Sequence, residues 1–295
     1  MKIAFVWQGI TGRYGIWNDG LRAAMRIIEK KHEVSYREPS DDITDVDLIM
    51  YWESPCTVNG PNAPQWNKVV RNPIKKVLLF SGGPLKPEWF FPFAHTFVES
   101  KINLDELKGW GIPCSTAFGV NTDIFFPVEL PKLYDGVHHG TCASWKRQWL
   151  VGEALGPRGL VFGRDQETDT RPFRECRERG THVLLEQSAG STATLLNESK
   201  VLVQTSDFWG GGQRCTLEGM ACGLPVVVME DSPKNREYVE ESFGNLIVPP
   251  EAHRIRQAVD DLIDNPRPNG NREYVLSKWT HHHYAENLLK VIETL

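Results

Sequence analysis

The sequence is poor in the features that would make it a disulfide scaffold, a membrane protein or a broad polyanion binder. Its six cysteines (Cys56, Cys114, Cys142, Cys176, Cys215 and Cys222) are scattered, and none forms a CxxC pair. A disulfide-dense framework or a zinc ribbon is therefore excluded, and a reducing cytoplasm is the expected location. No apolar run approaches the ~20 residues of a membrane-spanning helix. Met1 leads at once into a strand-like run, Lys2 to Trp7, so no cleavable leader is expected. Positive charge is not in excess: the net charge is -5 and the sequence pI about 6.0, so any polyanion site must be local. Repeats of solenoid period, low-complexity tails and a basic amphipathic helix for a membrane surface are also missing. What remains is ordinary globular composition, 40% apolar and 24% charged. The 295 residues exceed what one core usually serves, so two domains are expected.

Apolar runs alternate with helical patterns throughout. Strands are predicted at 3–7, 34–36, 46–52, 77–80, 94–99 and near 114–118, with Leu21, Ala24, Met25 and Ile28 marking one helix face. Residues 121–132, with Pro127 and Pro131, read as a hinge. A second alternating series follows, and a last helix carries Tyr284, Leu288, Val291 and Leu295 on one side. Strands alternating with helices imply crossover units and parallel sheets. The expected fold class is α/β, with two Rossmann-like domains at 1–126 and 127–275. A closing helix at 276–295 can cross back to the first domain. Ligands in such sheets sit at the carboxyl ends of the strands, so a crevice between two facing halves is the expected site.

The most informative stretch runs from Thr205 to Val228. A strand ends at Thr205, and Gly210, Gly211 and Gly212 follow. A helix opens near Arg214 to Thr216 and ends at Gly223, and Pro225 starts the next strand. Glycines let the backbone approach an anion, and the free amides and dipole of a helix start favour phosphate. Glu218, about one turn inside the helix, is placed to accept hydrogen bonds from ribose hydroxyls.

This segment, with 233–239 and the phrase Phe243-Gly244-Asn245-Leu246-Ile247-Val248-Pro249, resembles the carboxy-terminal half of GT-B glycosyltransferases of family 4 (group 1). Gly119-Val120-Asn121-Thr122-Asp123-Ile124-Phe125-Phe126-Pro127 is similar to that family's interdomain signature. The likeness is clear from about Glu99 to Pro266 and topological before it. It implies a GT-B fold and retaining, metal-independent hexosyl transfer, with no cofactor and a nucleotide-diphosphate sugar as donor substrate. UDP is favoured on family frequency. By the same resemblance, Glu218 binds the ribose, and Gly211, Gly212, Gln213, Arg214, Cys215 and Thr216 cradle the phosphates. Lys146 and Arg147 neutralise the diphosphate as leaving group. The nucleobase rests near Leu185, Glu186 and Gln187, while Gly12 and Gly15 come from the amino-domain loop.

Two positions depart from the family pattern. Its first glutamate falls on Gly210, with Asp207 as a nearby substitute, and its amino-domain histidine falls on Ser81, with His95 later in the chain. Glu237 matches a further family glutamate but can equally be a surface acid. The sequence shows no convincing carboxylate pair for double displacement. A front-face route, in which the departing phosphate helps to deprotonate the acceptor, asks least of the protein. The acceptor is expected to be a cell-surface glycan precursor or a hydroxymethylated base in phage DNA. The alternatives are a non-catalytic sugar-nucleotide binder, or an epimerase or phosphorylase of the same architecture.

Other features have plain structural readings. His281-His282-His283 and His138-His139 cannot converge on one ion from a regular helix or strand, so no metal site is expected. The cluster Trp89-Phe90-Phe91-Pro92-Phe93 is either an acceptor platform or core. Arg171, Arg174, Arg177 and Arg179, interleaved with Glu175 and Glu178, read as a solvated helix face. Asp19 is a candidate helix cap.

Overall fold

A computed structural model describes the chain apart from Tyr14, residues 54–62, Ser81, Pro84, residues 166–169, Trp209, Gly210, Gly212 and Glu241. It divides into two compact units, Met1–Gly119 with Thr280–Leu295, and Val120–Trp279. The division at 119/120 precedes the proline-rich stretch. Val120 N–H already bonds the Trp279 carbonyl, and Arg272 bonds the Phe125 carbonyl, so 120–126 belong with the second unit.

In chain order the first unit contains β1 (Lys2–Val6), α1 (Asp19–Ile28), β2 (Glu33–Arg37), β3 (Leu48–Glu53), α2 (Ala63–Arg71), β4 (Lys76–Phe80), β5 (His95–Val98), α3 (Lys101–Gly109) and β6 (Cys114–Thr116). The strands form a parallel sheet in the order β2-β1-β3-β4-β5-β6. β3 and β4 are buried along their whole length, as parallel strands covered on both faces must be. Phe90 and Phe93 join Tyr51, Leu78 and Phe80 in the core, whereas Phe91 is exposed, so the aromatic cluster is mainly packing. The cap of α1 is Asn18, whose side chain accepts from Leu21 N–H; Asp19, one residue later, pairs with Arg22 instead.

The second unit contains β7 (Tyr134–His139), α4 (Trp149–Leu155), β8 (Gly159–Gly163), α5 (Arg171–Glu178), β9 (His182–Leu185), α6 (Ala189–Asn197), β10 (Ser199–Gln204), α7 (Gln213–Ala221), β11 (Val226–Met229), α8 (Pro233–Glu240), β12 (Leu246–Val248), α9 (Ala252–Asp264) and α10 (Asn271–Lys278). Its parallel sheet runs β12-β11-β10-β7-β8-β9. The chain winds outward from β7 to β9, then returns to place β10 on the other side of β7. This reversal is a topological switch point, where the segments that follow β7 and β10 leave the same sheet edge side by side. The core beneath is aliphatic, with Val151, Val161, Val201, Val203, Val227, Ile255 and Val259.

The expected single closing helix is two. α10 ends at Lys278, Thr280 adopts an extended conformation, and α11 (His281–Ile292) restarts in the first unit, packed on α1. The Thr280 hydroxyl caps it by accepting from His283 N–H, and His283 Nδ1 lies 2.9 Å from the same oxygen. The histidine triplet is thus the first turn of a capped helix. Arg171 pairs with Glu175 and Arg174 with Glu178, as expected of a solvated face. Among the described residues no helix is long and apolar enough to cross a membrane, and Cys114, Cys142, Cys176, Cys215 and Cys222 are free thiols.

Candidate functional site

The switch point of the second unit gathers most of the charged residues singled out in the sequence. After β7 the chain turns at Gly140 and runs to a short 3-10 turn, Ser144–Lys146. After β10 it continues through Thr205, Ser206 and Asp207, whose N–H bonds the Trp145 carbonyl at 2.9 Å. α7 then begins at Gln213, with its amino end at the same edge. The close approach of β7 and β8 at this edge depends on Gly163, at φ +154: a Cβ there would lie 2.0 Å from the Gly140 carbonyl oxygen.

Lys146 is 8% exposed, and its Nζ bonds the Gly211 carbonyl directly ahead of α7. Burial lowers its pKa from the ordinary lysine value to about 8, and the like charges of Arg214 and Lys234 act in the same direction. Lys234, at the start of α8 and only 9% exposed, is a third cation that sequence reasoning missed. Behind α7, Thr216 Oγ1 donates to Asn235 Oδ1 at 3.0 Å, and Asn235 Nδ2 donates to Ser232 Oγ at 2.9 Å. The starts of α7 and α8 are thereby tied together. Two helix amino ends and three cations thus lie at one sheet edge, with Asp207 and Glu218 as acidic neighbours.

Arg147 does a different job from its neighbour. Its backbone is left-handed at φ 50. The guanidinium donates to the Thr205 carbonyl at 2.7 Å, to the Ser206 carbonyl at 3.0 Å and through two nitrogens to Asp231 at 2.7 Å each. It clamps the end of β10 to the segment after β11, and its hydrogen-bonding capacity is largely used within the protein.

Glu218, one turn inside α7, is 6% exposed. Burial raises its pKa to about 7, opposed by the nearby charges of Arg214 and His139. Arg214 Nε lies 3.5 Å from one carboxylate oxygen and His139 Nε2 3.4 Å from the other. His139, Cys215 and Glu218 place potential ligand atoms within 4.8 Å of one another. His139 Nε2, however, lies 3.1 Å from the Cys215 carbonyl, and Lys146 and Arg214 flank the group. Those positive neighbours disfavour a cation at the trio.

The remaining candidates are distributed as follows. Leu185 ends the edge strand β9, and the exposed Glu186 and half-buried Gln187 follow it. Glu186 sits at φ 44, with its N–H on the Gly163 carbonyl, and the Gln187 amide folds back onto the Leu185 carbonyl at 2.7 Å. β9 is two strands from β7, roughly 10 Å away, about the reach of a nucleoside from its phosphate. Glu237 is half-buried on α8. Gly12 and Gly15 close a tight turn in the first unit, where Gly15 N–H bonds the Gly12 carbonyl at 3.1 Å. His95 begins β5, at the amino edge of its sheet rather than the ligand-binding carboxyl edge. It bonds Ser115 Oγ at 2.9 Å, which gives it a packing role. Ser81, Gly210 and Gly212 lie outside the described residues.

Residues 160–276 match the model of the family described as glycosyl transferases group 1. The whole chain superposes on Anabaena HepE in complex with UDP and glucose, at 13% identity and TM-score 0.76, covering 100% of both chains. It also superposes on sucrose-phosphate synthase from Thermosynechococcus elongatus, at 15% identity and TM-score 0.74, covering 99% of this chain and 98% of that one. A glycosyltransferase from Rickettsia africae matches at 13% identity and TM-score 0.74, covering 98% and 97%. No curated protein matches the chain in sequence. The chain therefore has the GT-B fold of these structures, and its residues 160–276 are similar to the group 1 glycosyl transferases.

Proposed function

We propose that the protein transfers a hexosyl group from a nucleotide-diphosphate sugar, with UDP as the nucleotide, to an acceptor hydroxyl with retention and without a metal ion. One observation carries this reading: buried Lys146 and Lys234, with Arg214, surround the amino end of α7, and the buried Glu218 carboxylate lies one turn behind it. Cations gathered at a helix amino end favour a bound anion there. A diphosphate on the amides and cations, with its ribose on Glu218 and its base beside Leu185–Gln187, satisfies all of these groups together. UDP complexes of HepE support the choice of nucleotide.

Chemically, the cations and the α7 dipole stabilise the charge that grows on the departing diphosphate, which is where the barrier lies. The acceptor is a glycan precursor or a hydroxymethylated base in DNA, and the protein acts in the cytoplasm. The DNA acceptor predicts a steep loss of activity with salt, whereas a lipid-linked glycan does not.

A thermal-shift panel of UDP, GDP, ADP and TDP tests the donor site, because the midpoint rises with the logarithm of ligand over dissociation constant. UDP should stabilise the protein, and Glu218→Ala should remove most of that shift. A panel in which no nucleoside diphosphate shifts the midpoint overturns the proposal.

A further inference from the structure

Resting on the donor-site reading, we propose that His139 is a positioning residue that holds Glu218 as a carboxylate and so sets the pH range in which the donor binds. His139 is the last residue of β7, and its ring stacks on Phe162 with centroids 5.3 Å apart and planes 19° apart. The ring cannot swing away, because it is buried between β8 and α7. Its Nε2 faces two oxygens, the Cys215 carbonyl at 3.1 Å and Glu218 Oε2 at 3.4 Å. A carbonyl only accepts, so Nε2 carries its hydrogen whether or not the ring is charged. That N–H bonds the Cys215 carbonyl, and its positive end lies beside Glu218 Oε2, where it favours the charged form of the carboxyl group.

Among the described residues, the remaining titratable or charged groups around Glu218 are few. α7 supplies Arg214, on the other carboxylate oxygen, and Cys215. Cys222 follows α7, with Arg272 of α10 and Lys132 acting on it. β7 supplies His138, which is buried and held neutral by burial. Lys146 follows β7, and Lys234 of α8 acts on Lys146. Burial pushes Glu218 up to about 7, against Arg214 and His139, so small changes in its surroundings alter its charge near neutral pH. A carboxylate accepts two ribose hydroxyls well and a neutral acid does so poorly. Donor affinity should therefore climb as Glu218 ionises.

The test measures UDP-glucose dissociation constants by calorimetry from about pH 6 to 9 for the wild type, His139→Phe, His139→Gln and Glu218→Gln. UDP-glucose is used because its diphosphate stays fully ionised across that range. Wild-type affinity should improve by about tenfold as Glu218 ionises near pH 7 and fall again above about pH 8, where free Lys146 loses its proton. His139→Phe keeps the stacking but loses the N–H, so the midpoint of its rising limb should move up by about one pH unit while the alkaline fall stays where it is. His139→Gln, which restores an N–H donor, should return toward the wild type, and Glu218→Gln should lack the rise near pH 7 and keep only the alkaline fall. If His139→Phe does not fold, His139→Asn, whose amide is too short to reach Glu218, takes its place. An unchanged midpoint in the variant overturns this inference while leaving the donor site standing. Failure of the wild type to bind UDP-glucose at all overturns both.

Discussion

Replacing Lys146 by Met tests the phosphate end of the site alone. Methionine keeps the length and apolar volume of the side chain, so packing is conserved while the cation and its bond to the Gly211 carbonyl are lost. A hydrogen bond to a charged group contributes about 1.5–3 kcal/mol, and each 1.4 kcal/mol is a factor of ten. The dissociation constant for UDP should therefore rise about 10- to 150-fold. Uridine lacks the phosphates and should bind both proteins within about twofold. Side-by-side calorimetry at fixed ionic strength reads both numbers, since screening would otherwise blur the comparison. A second signal follows from burial, which holds Lys146 down at about 8 in the ligand-free protein. A bound diphosphate favours the charged amine, so above about pH 8 UDP binding should take up a proton in the wild type. Buffers of different ionisation heat reveal this uptake, and Lys146→Met should lack it. UDP affinity within twofold of wild type, or an equal loss for uridine, would refute the placement of Lys146 against phosphate.

Two further substitutions probe the scaffold. Arg147→Ala should destabilise the protein by about 2–4 kcal/mol in urea denaturation, because it strips donors from the buried Thr205 and Ser206 ends of β10. Asp231→Asn, at the exposed end of the same contact, should lose less than about 1 kcal/mol; equal losses would contradict the clamp. Gly163→Ala forces a Cβ onto the Gly140 carbonyl at a left-handed φ, so it should lower stability by about 2–4 kcal/mol and weaken UDP binding with it. A neutral outcome in the same denaturation assay would show that β7 and β8 are less tightly joined than this geometry requires.

The α7 segment was legible because its chemistry is local: a strand, glycines, a helix and a Gly-Leu-Pro exit occur in one continuous run. The alternation of strands and helices likewise exposed two parallel sheets. Residues whose role depends on the return of β10 beside β7 were not legible. Lys234 reads in sequence as a helix-start lysine, and only the adjacency of α7 and α8 turns it toward Lys146. The pair His138-His139 was set aside because neighbours on a strand face opposite sides. Both are nonetheless buried, because a parallel sheet is covered on both faces, and one of those faces carries α7. α2 escaped detection even though Trp66 and Val69 bury its inner face, since only Trp66, Val69 and Val70 mark an apolar face over its nine residues. Asn18 outranked Asp19 as cap because only its backbone takes the extended conformation that a capping residue needs.

The same return explains why two adjacent cations cannot share one task. A chain that must leave β7, cross over the start of α7 and enter α4 has to reverse within a few residues, and the left-handed backbone at Arg147 makes that reversal. Successive side chains across such a turn diverge. Lys146 points inward to the Gly211 carbonyl, while Arg147 points along the sheet edge to Thr205, Ser206 and Asp231. Exchanging the two residues would place a planar fork where a compact point charge fits and a point charge where three acceptors need a fork. The swapped protein should therefore lose stability and UDP affinity together, whereas Lys146→Met loses affinity alone, and denaturation read beside calorimetry separates the two.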